Sequence, residues 1–174
     1  MLRHFLINYY EYFGLPVRLN LNQSDLRKLY YENSRKYHPD FYTLEEEERQ
    51  EEVLRFSTLN NEAYNVLKND NKRLKHLLEI KGAIKEGEKE ELSQLFLMEM
   101  MEINETIMDL QLGDADPTKL TELEQNINQL TDTLNTEIKR IGNSELNESE
   151  IASLKECYFR MKYINRLKEN IRKL

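Results

Sequence analysis

Between Leu120 and Ile141 the apolar side chains fall at Leu120, Leu123, Ile127, Leu130, Leu134, Ile138 and Ile141, in steps of three and four. A helix with 3.6 residues per turn brings such positions onto one stripe, whereas a strand, with its period of two, scatters them over both faces. The same rhythm recurs along most of the chain. Breakers are too few to interrupt it, since 174 residues include only five Gly and three Pro. An all-α fold is expected.

In the amino-terminal half, residues 5–13 suit a short helix, with Gly14 available for the left-handed position that ends one. A loop from Leu15 to Asn22 leads to a helix over 24–37, with Ser24 as its cap and Asp25 in its first turn. Leu26, Leu29, Tyr30 and Tyr37 share one side of that helix, and Arg27, Lys28, Arg35 and Lys36 lie largely off it. Pro39 has no N–H to donate and biases His38 away from the α region. The tripeptide His38-Pro39-Asp40 therefore forms a stiff, exposed loop beside a basic helix. An acidic run, Glu45 to Glu48, opens the next helix, whose apolar side is Val53, Phe56, Leu59, Ala63, Tyr64 and Leu67. Two helices joined this closely pack antiparallel, with the tripeptide at the tip. A short helix over about 71–80 carries Leu74, Leu77, Leu78 and Ile80.

Residues 82–88, with two glycines in a polar stretch, read as a linker between a domain over 1–81 and one over 89–174. Three helices are expected in the second: 89–112, a segment opened by Asp116-Pro117 and running to Ile141, and 147 to the end. Short loops make them an antiparallel bundle. The last helix has Ile151, Leu154, Tyr158, Met161, Ile164, Leu167, Ile171 and Leu174 as its stripe. In the first, Leu92, Phe96, Met100, Ile103, Ile107 and Leu110 already complete a core face. Leu97, Met98 and Met101 are left over, on the same side as Glu102, Glu105 and Asp109. They form either a wider core contact or an exposed, Met-rich, acid-fringed docking surface, which Phe159 and Tyr163 would extend.

Several classes of function are disfavoured. The single Cys157 excludes an internal disulfide and any CxxC site, and the three histidines lack partners at ligand spacing, so no metal or cofactor is expected. Residues 1–81 are electrically neutral, 82–137 carry a net −11 and 138–174 a net +4, a balance that argues against nucleic acid. No apolar run reaches the ~20 residues that cross a bilayer, and the first residues are too short and polar for a signal peptide. A cytoplasmic protein without membrane partners is expected. His38 and Asp40 have no convergent catalytic group beside them, which disfavours an enzyme.

Tyr10-x-x-Phe13-Gly14-Leu15, Lys36-Tyr37-His38-Pro39-Asp40 and Asn61-Glu62-Ala63-Tyr64, in this order and spacing, resemble the J-domain family of helical co-chaperones, which switch on the ATPase of DnaK-family chaperones. A narrower resemblance covers nearly the whole chain. Phe13-Gly14-Leu15-Pro16, Leu77-Leu78-Glu79-Ile80-Lys81-Gly82, Phe96-Leu97-Met98-Glu99 and Met161 to Leu167 look like the signatures of HscB-type J-proteins. That family delivers an IscU-type iron–sulfur scaffold to a dedicated, HscA-like chaperone. The resemblance implies a chaperone-binding set of Arg27, Lys28, Arg35, Lys36, His38, Pro39 and Asp40. It also implies a scaffold-binding set of Leu97, Met98, Met101, Glu102, Glu105, Asp109 and Tyr163, which coincides with the residues periodicity leaves over. A monomer is expected; the alternatives are another client or dimerisation through the Met-rich face. The chain departs from the family pattern at Phe41, where Lys is common, and at Glu32, often basic. Asn33 and Asn60 replace apolar core residues, which implies a less stable or repacked J-domain, and Tyr163 stands in place of Phe. Absence of the amino-terminal cysteine motifs of some eukaryotic members implies a bacterial-type protein.

Overall fold

A computed structural model of the chain describes residues 6–85, 87–89, 91–113, 117–143 and 146–172, and every regular element among them is helical. The chain divides into two compact units, Met1–Gly82 and Ala83–Leu174.

The first unit contains α1 (Tyr9–Tyr12), α2 (Gln23–Lys36), a 3-10 turn (Pro39–Tyr42), α3 (Glu47–Leu67) and α4 (Asp70–Ile80). Helix α1 is shorter than the expected 5–13, because Asn8 is extended and its side chain accepts the Tyr10 and Glu11 N–H groups, so the helix starts at Tyr9. Gly14, at a left-handed φ of 64°, follows its end. Asn22, not Ser24, caps α2: its side chain accepts the Ser24 N–H, and Ser24 is the second helical residue. Helices α2 and α3 meet through Leu26, Ala63 and Leu67, with Tyr30 stacked on Tyr64 at 4.2 Å. Buried Asn60 interrupts this apolar seam, and its Nδ2 donates to the Tyr30 carbonyl (3.1 Å) and to Ser34 Oγ (3.0 Å). The amide is thus tied to α2 by donors alone, since its Oδ1 is buried without a partner among the described residues.

Two buried polar side chains secure the unit from α4. Arg73 donates to the carbonyls of Leu19 and Leu67, both at 2.6 Å, and pairs with Asp70. His76 Nε2 accepts the Tyr9 N–H at 3.2 Å, and its ring stacks on Tyr9 with centroids 4.5 Å apart. An accepting Nε2 requires a neutral ring. Burial lowers the His76 pKa from its ordinary value, and nearby Glu79 only partly opposes this. The unfolded chain therefore binds the extra proton more readily, and stability falls as pH drops below about 6.5 toward the lowered folded value. Denaturant melts should show this fall, and it should be shallower in His76→Phe. That variant should be about 1–2 kcal/mol less stable at pH 7.5, because the Tyr9 N–H loses its acceptor.

The second unit is a bundle of α5 (Gln94–Gln111), α6 (Pro117–Gly142) and α7 (Glu148–Ile171). Ser93 caps α5, and Asn147 with Glu150 forms a reciprocal capping box on α7. The cap expected of Asp116 lies outside the described residues, as does Leu174. The core joins Phe96, Met100, Ile103 and Ile107 of α5 to Leu123, Ile127 and Leu134 of α6 and Met161, Ile164 and Leu167 of α7. Cys157, rather than Tyr158, fills the core position of α7. Both continue the three-four spacing between Leu154 and Met161, so the apolar pattern alone does not choose between them. Burial raises the Cys157 thiol pKa, so the thiol stays protonated and inert. Phe159 is buried and does not extend an exposed surface as the sequence implied.

Candidate functional site

Each unit presents one surface built from residues that periodicity leaves off its core. In the first, α2 stops where Pro39 requires. The Tyr37 N–H makes the last intrahelical bond, to Asn33, and His38 is extended at φ −75°, ψ 121°. The loop is tied down on both sides. Tyr42 Oη donates to the Lys36 carbonyl at 2.7 Å, the Phe41 N–H donates to the His38 carbonyl at 3.1 Å, and Gln50 of α3 donates to the Thr43 and Glu45 carbonyls. Below it, Tyr37 stacks on Phe56 at 4.8 Å.

On this anchored turn, His38 Nδ1 accepts the Asp40 N–H at 3.3 Å, which leaves the ring proton on Nε2. Asp40 Oδ2 is 3.6 Å from the same Nδ1, too far for a hydrogen bond and facing a lone pair. The imidazole thus fixes the backbone of the turn and leaves the Asp40 carboxylate, 81% exposed, uncommitted. A carboxylate held out on a rigid turn suits a bidentate cation such as Arg on another protein.

Arg27, Lys28, Arg35 and Lys36 are all exposed along α2, as are His38, Pro39 and Asp40. Glu32 sits 4.0 Å from Lys28 Nζ, an open i,i+4 contact that neutralises little. Tyr31 was not singled out by sequence, yet it is exposed and lies four residues from both Arg27 and Arg35, amid the basic side chains. Its off-core position on the helical wheel was the available signal.

In the second unit the leftover residues of α5 face solvent. Leu97 is 40% exposed, Met98 58% and Met101 61%, and Glu102, Glu105 and Asp109 are exposed beside them. These side chains are not a wider core contact within the described structure. Tyr163 differs from the other six. It is half-buried against the bundle core, its ring edge-on to Phe96 at 5.9 Å, and its hydroxyl accepts from Asn104 Nδ2 at 3.2 Å. Arg166 lies over the same ring at 5.2 Å. Tyr163 is therefore a fixed edge to the surface, pinned from α5. Across α5 from it, Glu99, Glu102 and Asp109 line a cleft with Lys119 and Glu122 of α6, so this flank is acidic on balance. Among the described residues no three His, Cys, Asp or Glu side chains group as metal ligands, and no helix is long and apolar enough to cross a membrane.

Comparison with known proteins follows the same division. Residues 8–76 match the model of the DnaJ domain, and residues 92–172 match the HSCB C-terminal oligomerisation domain. The co-chaperone protein HscB homolog of Aliivibrio salmonicida is 31% identical over 171 residues, covering 97% of this chain and 96% of its own. That of Vibrio vulnificus strain YJ016 is 29% identical, covering 95% of each. Among solved structures, chaperone HscB from Vibrio cholerae superposes with a TM-score of 0.69 at 23% identity, over 96% of each chain. Human co-chaperone protein HscB gives 0.75 at 22% identity, over 96% of this chain and 81% of the human one.

Proposed function

We propose, for a chain that belongs to the HscB family of J-domain co-chaperones, that it carries an IscU-type iron–sulfur scaffold to an HscA-like, DnaK-family chaperone and stimulates that chaperone's ATPase. The observation that carries this reading is the pairing of two unlike surfaces on one chain. One is a rigid tip with an uncommitted carboxylate beside a basic helix; the other is an apolar, acid-flanked helix face.

Each surface has a distinct task. Asp40 accepts a charge-assisted hydrogen bond from an Arg of the chaperone, and Arg27, Lys28, Arg35 and Lys36 attract an acidic patch on it. Leu97, Met98 and Met101 anchor the scaffold, Glu102, Glu105 and Asp109 meet its basic residues, and Tyr163 bounds the contact. Holding both partners raises the scaffold's effective concentration at the chaperone. Docking favours the chaperone's hydrolysis-competent arrangement, so the co-chaperone breaks no bond itself. A domain organisation of J-domain, linker over 82–88 and scaffold-binding bundle over 89–174 belongs to this reading.

The test combines the three purified proteins. The chaperone's ATPase rate should rise when the full chain is added and rise further when scaffold is added with it. No change with either addition overturns the proposal. The description of the matched carboxy-terminal model as an oligomerisation domain favours a second reading, self-association through this unit. A molar mass that grows with protein concentration, with no scaffold complex formed, would select it.

A further inference from the structure

Helix α5 carries more exposed apolar surface than the assigned docking residues account for. Met108 is 59% exposed and Leu112, at the carboxy-terminal cap, is 83% exposed. Neither takes part in the bundle core. Their spacing from the assigned residues is informative. Leu97, Met101, Met108 and Leu112 are separated by four, seven and four residues, which places all four within about 60° of one another around a helix of 3.6 residues per turn. They form one ridge about 22 Å long at 1.5 Å per residue, and Met108 lies about 10 Å beyond Met101.

The surroundings of the ridge are continuous as well. Asn104, which pins Tyr163, lies between Met101 and Met108 on the α7 side. Glu105 and Asp109 follow the ridge on its other side, and Asp109 with Glu122 of α6 carries the acidic flank past Met108. A solvated surface has no reason to hold four large apolar side chains in register beside a mainly acidic border, in which Lys119 is the one base of the cleft lining, whereas an elongated interface does.

We infer that the scaffold contact extends beyond Met101 onto Met108 and Leu112. The scaffold then presents an apolar strip at least three helical turns long, with basic residues along one edge. This inference rests on the scaffold-docking reading of α5 and adds Met108 as an anchor comparable to Met101. Methionine suits the role, because its unbranched, polarisable side chain adapts to an irregular partner surface.

The test titrates the IscU-type scaffold of the same organism into the full chain carrying Met108→Asp, Met108→Leu or the triple change Leu97→Ala, Met98→Ala and Met101→Ala. Met108→Asp is expected to weaken binding about 10-fold or more with an unchanged thermal melt, and Met108→Leu to bind as the parent does. Wild-type affinity in Met108→Asp with binding lost in the triple variant would overturn the extension and leave the shorter docking site standing. Wild-type affinity in both variants would remove the docking reading along with it. A dimer in the parent chain that Met108→Asp dissociates, with scaffold affinity unmoved, would assign the ridge to a second copy and overturn the inference. A lowered melt for Met108→Asp that Met108→Leu restores would place Met108 in the fold, against its exposure, and would equally overturn it.

Discussion

Asp40→Asn is expected to abolish stimulation of the partner chaperone's ATPase while moving the unfolding free energy by no more than about 0.5 kcal/mol. The size of the first effect follows from charge. Asn keeps the shape and one acceptor oxygen, but it loses the second anionic oxygen that a guanidinium needs for two parallel bonds. Truncating one side of a charge pair that is desolvated on docking typically costs 2–5 kcal/mol, roughly 30- to 4,000-fold in the coupled step. The small size of the second effect follows from geometry. The Asp40 backbone N–H bonds to His38 Nδ1, and its carboxylate is 81% exposed and bonds to nothing in the turn. ATPase assays and melts on the same preparation check both halves. Full stimulation by the variant would remove Asp40 from the contact, and a large stability loss would make it a residue of the fold.

Tyr42→Phe separates the acid from its mount. Removing the hydroxyl frees the Lys36 carbonyl that anchors the turn at 2.7 Å, while Asp40 and the basic helix keep their charges. A partial loss of stimulation, with unchanged salt dependence, is the expected result, because orientation is degraded and attraction is not.

The parts of this molecule that were legible in sequence are those governed by local rules. Pro39 dictates where α2 ends whatever surrounds it, so the exposed tripeptide followed from three residues. That Leu97, Met98 and Met101 lie off the core stripe followed from angle alone, since Phe96, Met100, Ile103 and Ile107 had already filled the core face of α5, but angle left open whether they met solvent or a wider core. Where two neighbours satisfy the same rule, local reasoning has nothing to decide with. Asn22 and Ser24 both cap helices well, and Asn22 won because the helix begins at Gln23. Cys157 and Tyr158 both continue the spacing between Leu154 and Met161, and it is Cys157 that joins the core.

Distant partners were illegible for a different reason. Arg73 is buried because the Leu19 carbonyl, 54 residues away, accepts from it, and His76 because the Tyr9 N–H, 67 residues away, donates to it. Neither residue belongs to a periodic apolar set, so nothing local marks it as interior. Asn60 is similar. Its burial became acceptable only once Ser34 and the Tyr30 carbonyl lay opposite its amide nitrogen. Met108 lies off the core stripe of α5 as plainly as Met101 does, but it belongs to no motif that the family resemblance names.

Replacing Leu97, Met98 and Met101 together by Ala should lower stability by only about 1 kcal/mol or less, and scaffold affinity by about 100-fold or more. The two numbers separate the surface from the core. A buried Leu or Met cut to Ala typically costs about 2–5 kcal/mol, from lost transfer energy and the cavity left behind. Three such losses would approach the whole stability of a domain this size. Side chains that are 40%, 58% and 61% exposed leave no enclosed cavity, and Ala favours the helix slightly over Leu or Met. Binding responds oppositely, because side chains at the centre of an apolar patch are the ones desolvated when a partner docks. Charge reversal at Glu102 and Glu105 should weaken the complex as well, chiefly through slower association, and added salt should reproduce part of that loss in the parent chain. Salt should shift the melt of the triple variant by the same amount as that of the parent, since none of the three side chains is charged. An intact melt with lost binding places the anchors on the outer face of α5; a collapsed melt would return them to the core and leave Glu102, Glu105 and Asp109 as a solvated acidic face with no apolar centre to border.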